Sequence, residues 1–355
     1  TVQISSLYVN GKYVLKSAVG DPPHKCICQM KKINACTIKP LAQDITSIFR
    51  CIYSHVRAYN DMARFYSGLN HFWVVNNNDD VVRAMNRMSK KGNAKSVATF
   101  DFSTLYTKIP HDKLIEVLNT IIDSTFNNTN RKYLSVTKSG AHWVTGKRHV
   151  NKIYDAVKVK AIIKYLVTNS YFTVGSLLFR QIIGIPMGLD PAPFFANLFL
   201  YFYEVQWIKT LKKSDYSRAR RFLNTFRFID DLITFNDAGE FSRSFLEIYP
   251  PELVLKKENE TDNRATFLDM EINIIDNKYI YNLYDKRDSY NFFIVRFPYK
   301  CSNIPSKIFH STIGAETLRI CRASSTLPAF LKSTKPFYSR MAKQGARDTS
   351  IKHVL

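Results

Sequence analysis

Two adjacent aspartates lie inside the apolar and aromatic stretch FRFIDDLITF, residues 226–235. The runs on either side are too short for helices, and aspartate is depleted in strands but tolerates tight turns. The stretch therefore predicts two short strands joined by a turn that holds Asp230 and Asp231 at its tip. An ordinary polar hairpin tip has the same pattern, so the pair alone does not define a functional site.

A further aspartate, Asp101, stands between Phe100 and Phe102 in SVATFDFSTLYTKIP, which predicts a strand running into a turn that ends at Pro110. Carboxylates that a fold brings together repel one another, and Mg²⁺ with its oxygen ligands is their usual compensation. Two such ions about 3.5–4 Å apart can clamp the attacking and leaving oxygens of a phosphoryl transfer. The alternative is that Asp101 caps the turn that follows it.

Strand and helix patterns alternate along the chain without a regular βαβ repeat. Helical spacing of apolar residues predicts helices over 41–68, 79–90 and 194–212, and strands are predicted over 267–274 and 278–286. Residues 124–150 predict a loop or an exposed hairpin, and the basic tail from about 304 predicts helices. This order indicates an α+β fold with an antiparallel sheet.

The charge balance points to a polyanionic partner. Lysine and arginine number 51 against 29 acidic residues, a net charge of +22. An excess of this size favours nucleic acid over a merely solvated surface. Binding through phosphates should weaken steeply as salt rises.

We expect no membrane association, because the longest apolar stretch, 194–203, is too short to span a bilayer. Six cysteines do not make a disulfide framework, which predicts a reducing, intracellular compartment. The spacing of His24, Cys26, Cys28 and Cys36 matches no standard zinc ligand pair, so scattered thiols are favoured. The chain begins at Thr1 rather than Met, and we expect a fragment of a longer protein.

Four motifs occur in a distinctive order: TFDFSTLYTKIPH, QIIGIPMGLDPAPFFANLFL, FRFIDDLITF and FLDMEI. Together they resemble the successive palm motifs of reverse transcriptases, and most closely those of Penelope-like retroelements, relatives of the telomerase catalytic subunit. The resemblance covers residues 70–325. It implies an α+β right-hand polymerase with an antiparallel palm sheet, helical fingers and a basic thumb. The implied division is partial fingers in 1–95, the palm with fingers insertions in 96–275, and the primer-grip-adjacent and thumb region in 276–355.

The resemblance also implies roles for individual residues. Asp101, Asp230 and Asp231, with the backbone carbonyl of Phe102, match the metal-binding positions. Tyr106 matches the bulky residue that crowds a ribose 2′-hydroxyl, although a core aromatic would look the same. The loop under the templating base and incoming nucleotide is matched by Gln181, Gly184, Pro186, Met187 and Gly188. The basic residues that face the duplex backbone are Lys286, Arg287, Lys307, Arg319 and Arg322.

The implied function is that of an RNA-directed DNA polymerase in the nucleus. It would extend the 3′-hydroxyl of a DNA primer on an RNA template with deoxynucleoside triphosphates, using two Mg²⁺ ions or Mn²⁺ in their place. Alternatives are a catalytically impaired or domesticated nucleic-acid-binding relative and an RNA-dependent RNA polymerase. Tyr106 argues against the RNA polymerase, because that enzyme needs room for the 2′-hydroxyl.

The sequence departs from the family pattern at two places. The fingers segment PPHKCICQMKKINACTIKPL offers no arginine for the triphosphate, and Lys25, Lys31 or Lys32 would have to substitute, or nucleotide binding is impaired. The lysine expected to give a proton to pyrophosphate has two candidates, Lys256 and Lys257. The oligomeric state is not predicted.

Overall fold

The computed structural model describes residues 38–146, 152–174, 177–285, 287, 290 and 294–346. It also describes the backbone, without side chains, of residues 6–9, 12–15 and 27–28, and only the backbone of 172–174, 177 and 178. Residues 22–37 of the fingers segment that lacks an arginine lie outside the side chains described. They include Lys25, Lys31, Lys32 and the His24–Cys36 cluster, and Lys286 also lies outside.

The helices of the described chain follow the apolar spacing of the sequence. They are α1 Lys39–Ser67, α2 Asp79–Lys90, α3 Leu105–Lys108, α4 His111–Thr129, α5 Ala156–Thr168, α6 Ala192–Ser214, α7 Tyr216–Arg220, α8 Glu240–Ile248, α9 Ser306–Arg322 and α10 Leu327–Lys343. The three helices predicted over 41–68, 79–90 and 194–212 are confirmed as α1, α2 and α6. Helix α6 is apolar on most of its surface, which suits a helix packed inside the core.

The strands form small antiparallel sheets. They are β1 Ser6–Val9, β2 Lys12–Leu15, β3 Ile27–Cys28, β4 Val97–Phe102, β5 Tyr133–Thr137, β6 Gly140–Val144, β7 Lys152–Tyr154, β8 Tyr171–Val174, β9 Leu177–Arg180, β10 Thr225–Phe228, β11 Asp231–Phe235, β12 Leu255–Lys257, β13 Arg264–Phe267, β14 Met270–Ile275 and β15 Lys278–Leu283. The α+β class with an antiparallel sheet is confirmed.

The central sheet has the strand order β10-β11-β4-β12, with every neighbour antiparallel. Side chains alternate between its two faces. Phe100, Phe102 and Leu232 face the larger core, which contains α1, α4 and α6. Val97 and Ile233 face a second core, which contains α2 and the β13-β14-β15 sheet. Both faces of the sheet are therefore covered at one end of its strands.

Two predictions for irregular segments were wrong. Residues 267–274 are not one strand: β13 and β14 are joined by a turn at 268–269, where Leu268 takes a φ of 53°. Residues 124–129 belong to α4 rather than to a loop, and the predicted hairpin is present as β5 and β6, with an exposed turn but with one strand buried. Leu134 and Val136 alternate on β5 and are buried in the main core, and Trp143 packs edge-on against Phe126.

The C-terminal part has a small core of its own. Helices α9 and α10 bury Phe309, Ile313, Ile320, Phe337 and Met341 between them, as the helical prediction for this tail required. In the chain as described, no helix is both long enough and apolar enough to cross a bilayer.

Candidate active site

The hairpin of β10 and β11 has a two-residue turn. Phe228 pairs with Asp231, so Ile229 and Asp230 form the turn and Asp231 is the first residue of β11. The predicted strand–turn–strand is confirmed, with one aspartate in the turn and the other directly after it. Because the turn is this short, Asp230 and Asp231 both lie at the tip of the β10–β11 hairpin.

The turn contains an unfavourable backbone conformation. Ile229 has a φ of 55°, in the left-handed region that β-branched residues rarely adopt. Conformations of this kind cost on the order of 1–3 kcal/mol and persist only where the surrounding structure imposes them. The turn is thus held in place by its neighbours rather than by the preference of its own residues.

The central strand β4 brings Asp101 to this hairpin. Asp101 pairs directly with Asp231 on one side and with Lys256 of β12 on the other. Residues opposite one another in an antiparallel ladder have Cα atoms about 4.5–5.5 Å apart and point to the same face. Asp101, Asp231 and Lys256 therefore share one face of the sheet, beyond the part that the second core covers.

Asp230 joins the same cluster through its backbone. Its carbonyl oxygen accepts a hydrogen bond of 3.2 Å from the N–H of Phe102. The Phe102 side chain is buried in the main core, so only its backbone reaches the site. Burial raises the pKa of the Asp230 carboxyl above its ordinary value, and the charge of Arg227 partly opposes this rise. A carboxylate in this position is stabilised by any cation that reaches it.

The donor set fits magnesium better than a closed metal cage. Within the residues described, no group of three His, Cys, Asp or Glu side chains is arranged to hold a metal. Magnesium is usually bound through one or two carboxylates, with water and substrate phosphates as its other ligands. Asp101 facing Asp231, with Asp230 one residue away, meets that requirement.

A buried polar network supports the turn from the opposite face. Arg227 and Glu204 of α6 form an ion pair with both side chains 0% exposed. Arg227 also donates to the Ile229 carbonyl at 2.9 Å and to the Asn197 side-chain oxygen at 2.9 Å. The Tyr249 hydroxyl donates to Glu204 at 2.9 Å. Although burial disfavours charge, the Glu204 carboxylate keeps the pKa of Arg227 above its ordinary value.

This network was not predicted from the sequence. Its signal was a charged residue in each of two apolar runs: Arg227 in TFRFI and Glu204, the one acid in α6. Charged residues are almost never fully buried unless they are paired. Two such residues of opposite sign predict a pair, although the sequence does not show that α6 and β10 are neighbours.

The loop 181–188 and the Tyr106 segment meet through their backbones. The Ile185 N–H donates to the Tyr106 carbonyl, and the Gly184 N–H donates to the Ile109 carbonyl, each at 2.8 Å. Gly184 has a φ of 86°, and a Cβ there would lie 2.4 Å from the Tyr106 oxygen. Only glycine permits this approach.

Tyr106 lies within electrostatic reach of the aspartates. Burial, followed by the negative charge of Asp230, raises the pKa of Tyr106 to about 12. The phenol therefore stays neutral at physiological pH. The structure thus brings together the Tyr106 segment, the 184–185 backbone and the carboxylate cluster, as the motif order predicts.

The remaining residues of the loop differ in exposure. Gln181 donates through its side-chain amide to the Ile183 carbonyl at 3.0 Å. Pro186 is buried, Met187 is half-buried, and Gly188 is exposed with a φ of 86°. Their contacts with a nucleotide stay a prediction.

Of the two lysines considered as a proton donor, only one faces the aspartates. Lys256 is exposed and pairs with Asp101, whereas Lys257 lies one position further and binds Asp262 at 2.6 Å. Adjacent strand residues point to opposite faces. The geometry therefore favours Lys256.

The basic residues predicted to face a duplex fall into two groups. Arg287 is bound to Asp285, and Arg319 is bound to Glu316 and Asp269. Their guanidinium groups hold the C-terminal region together. Lys307 and Arg322, at the two ends of α9, are exposed and are the more available for phosphate.

An antiparallel sheet that carries carboxylates on a strand and an adjacent hairpin tip, backed by long helices, is the palm of a right-hand polymerase. The chain has this α+β polymerase fold, in the form found in telomerase. Telomerase from Candida albicans, solved with a TWJ fragment of telomeric RNA, matches with a TM-score of 0.51 and 15% sequence identity, over 85% of this chain and 49% of that one.

Apo telomerase from Candida tropicalis also matches, with a TM-score of 0.46 and 15% identity over 85% of this chain and 51% of that one. This chain spans about half the length of the telomerase chains it matches. No protein-family profile and no curated protein match the sequence.

Proposed function

We propose that this chain is the RNA-directed DNA polymerase core of a Penelope-like retroelement, acting in the nucleus. The observation that carries the proposal is the pairing of Asp101 with Asp231 across adjacent strands, with Asp230 in the turn beside them. Its partners would be an RNA template, a DNA primer and deoxynucleoside triphosphates. The ordered motifs and the net charge of +22 support it.

The residues of the site have separate proposed roles. Asp101, Asp230 and Asp231 would hold two Mg²⁺ ions, with the Phe102 carbonyl as a further ligand. Ions held there would supply a lowered pKa at the primer 3′-hydroxyl and positive charge beside the triphosphate. Lys256 would give a proton to the departing pyrophosphate, a role supported by its pairing with Asp101 on the same face of the sheet.

The loop from Gln181 to Gly188 would support the templating base and the incoming nucleotide. Gly184 allows the loop to lie directly against the Tyr106 carbonyl. Residues 96–275 would form the palm, preceded by fingers in 1–95 and followed by the thumb region in 276–355. Within the thumb region, Lys307 and Arg322 are proposed to bind the duplex backbone. The other three basic residues of that prediction, Lys286, Arg287 and Arg319, belong to the same region.

Tyr106 is proposed to select deoxyribose. Its side chain is half-buried against the main core and its backbone carbonyl accepts from the Ile185 N–H, which favours a fixed ring over a mobile side chain. Tyr106→Ala should allow incorporation of ribonucleotides, and Tyr106→Phe should retain selection because the ring persists. Single-nucleotide incorporation of dNTPs and rNTPs measures this. If Tyr106→Ala rejected rNTPs as strongly as the wild type does, Tyr106 would not be the residue that selects deoxyribose.

Primer extension tests the function itself. The protein should extend a DNA primer on an RNA template with dNTPs in Mg²⁺ or Mn²⁺. Efficient use of rNTPs by the unaltered protein would favour the RNA polymerase. Salt-sensitive RNA binding without incorporation under either metal would favour a non-catalytic relative.

A further inference from the structure

A cleft at the β10 edge of the central sheet is lined by four arginines. Arg57 and Arg64 lie two turns apart on α1, and Arg83 and Arg87 lie one turn apart on α2. These spacings place each pair on one face of its helix. The apolar lining of the cleft includes Phe72, Val74, Val75, Ala84 and Phe226, and its volume is about 190 Å³.

Carboxylates neutralise only part of this charge. Asp80 lies 3.5 Å from Arg57 and also binds Arg83. Asp61, the other acid in the lining, is 4.0 Å from Arg57. Among the residues described, Arg87 donates to one neutral partner, the Asn224 side-chain oxygen, at 3.2 Å.

Arg64 is the residue left without a partner. Its guanidinium makes no hydrogen bond or ion pair to any of the residues described, and it is only partly exposed. Burial, and next the charge of Arg87, lowers the pKa of Arg64, and the charges of Asp61 and Asp80 only partly oppose this fall. Two guanidinium groups that face one another in a partly desolvated cleft are stabilised by an anion between them.

The size and chemistry of the cleft select a phosphate group. A volume of 190 Å³ equals roughly six waters, which is below the usual range for sites that enclose a drug-sized molecule. The planar fork of arginine matches phosphate oxygens in pairs. The cleft therefore suits one phosphate whose sugar and base remain outside.

The basic surface continues beyond the cleft. A second groove of about 400 Å³ shares Arg83 and Arg87 and extends along α2 to Asn86, Lys90 and Lys91. A row of cations on successive turns of a helix suits a chain of phosphates better than a single ion.

The cleft adjoins the face of the sheet that carries the aspartates. Phe226 and Phe228 are two residues apart on β10 and share a face, and Phe228 pairs with Asp231. Phe226 therefore lies about 7 Å along the strand from the position of Asp231. Because Phe226 itself is buried in the second core, a strand of nucleic acid crossing the aspartates would reach the cleft by passing around the β10 edge.

We propose that this cleft and groove bind successive phosphodiesters of one nucleic-acid strand as it leaves the face of Asp101 and Asp231. The identity of the strand rests on the proposed function, but binding itself needs no turnover. The site is separate from the carboxylates and from the thumb residues considered above.

The test is the salt dependence of binding to a fluorescent single-stranded oligonucleotide, followed by anisotropy. Arg64→Gln with Arg87→Gln should weaken binding about tenfold and flatten the slope of log K against log salt by about 1.4, or ~0.7 for each lost phosphate contact. The matched control is Lys138→Gln with Lys164→Gln. It removes the same charge from exposed positions on the β5–β6 turn and α5, and should leave the slope unchanged.

An equal slope for the arginine variant and the wild type, with both folded by circular dichroism, would overturn the proposal. A second arm adds inorganic phosphate or pyrophosphate and follows the melting temperature. Stabilisation of the wild type alone, with an unchanged oligonucleotide slope, would mean that the cleft binds a free anion instead. Loss of slope in a protein without polymerase activity would retain this inference and remove the proposed function. Polymerase activity with an unchanged salt slope would remove this inference and retain the proposed function.

Discussion

At the scale of single residues, the energetic cost of the site lies in the turn of β10 and β11. Ile229 has a left-handed backbone, and Asp230 is a carboxylate whose burial raises its pKa. Neither feature improves folding. Both are typical of positions that are kept for function at the expense of stability.

Removing the charge of Asp230 should therefore stabilise the protein. A carboxyl with a raised folded pKa favours folding below its unfolded pKa, and that contribution is lost as pH rises through the folded pKa. Asp230→Asn should thus melt about 2 °C higher than the wild type near neutral pH, with the difference shrinking as pH falls toward 4.

Circular dichroism melts across this pH range, with chelator present, measure the effect. Asp276→Asn is the control, because Asp276 is an exposed aspartate in the β14–β15 turn. A lower melting temperature for Asp230→Asn than for the wild type at neutral pH would show that Asp230 is not penalised by burial.

At the scale of elements, β10 is tied to α6 by the ion pair of Arg227 and Glu204, and the same guanidinium holds the Ile229 carbonyl. Arg227→Met should cost ~3–5 kcal/mol of unfolding free energy, because it leaves Glu204 buried and unpaired. Arg227→Met with Glu204→Leu should recover part of that loss, since apolar residues replace the pair although the Asn197 and Tyr249 side chains lose their partners.

The double variant separates stability from positioning. It still lacks a donor for the Ile229 carbonyl, so its rate of nucleotide addition should remain low although the protein is stable. Urea unfolding and the kcat of primer extension are the two readouts. Wild-type kcat in the double variant would mean that the network only stabilises the fold.

The contact of the 181–188 loop with Tyr106 predicts different costs at two glycines. Gly184 and Gly92 both have positive φ, at 86° and 59°, but only Gly184 has backbone within reach of a Cβ. Gly92→Ala should cost about 1 kcal/mol for the backbone alone. Gly184→Ala should cost roughly 1–3 kcal/mol more because the Tyr106 carbonyl must move. Chemical denaturation of the two variants measures these costs. Equal losses of unfolding free energy would contradict the close approach of Gly184 to the Tyr106 carbonyl.

Elements with a strong periodic pattern could be predicted, and those held by distant contacts could not. Helix α2 agrees with its predicted range because its apolar residues repeat at helical spacing. The turn at Leu268 was missed because it contains no glycine or proline. Asp269 fixes that turn by binding Asn78 at 2.5 Å and Arg319 at 2.6 Å, and residues so far apart in sequence give no local signal.

At the scale of the whole molecule, two of the ordered motifs form the centre of the palm sheet: one is the strand β4 and the other is the β10–β11 hairpin. Asp101 and Asp231 are 130 residues apart in sequence and become neighbours through the β11–β4 pairing. The net charge of +22 predicted a polyanion, but not where it lies. The arginine cleft needed the structure, since its four arginines come from two helices that only tertiary packing brings together.

The most direct test of the account is primer extension by the wild type, Asp101→Asn and Asp230→Asn on an RNA template with dNTPs. Each site variant should lose at least a thousandfold in kcat, or roughly 4 kcal/mol of transition-state stabilisation, while binding primer–template as tightly as the wild type. Asp276→Asn, which makes the same change in another hairpin turn, should extend the primer normally. Wild-type incorporation by Asp101→Asn or Asp230→Asn would contradict the assignment of this hairpin and strand as the catalytic centre.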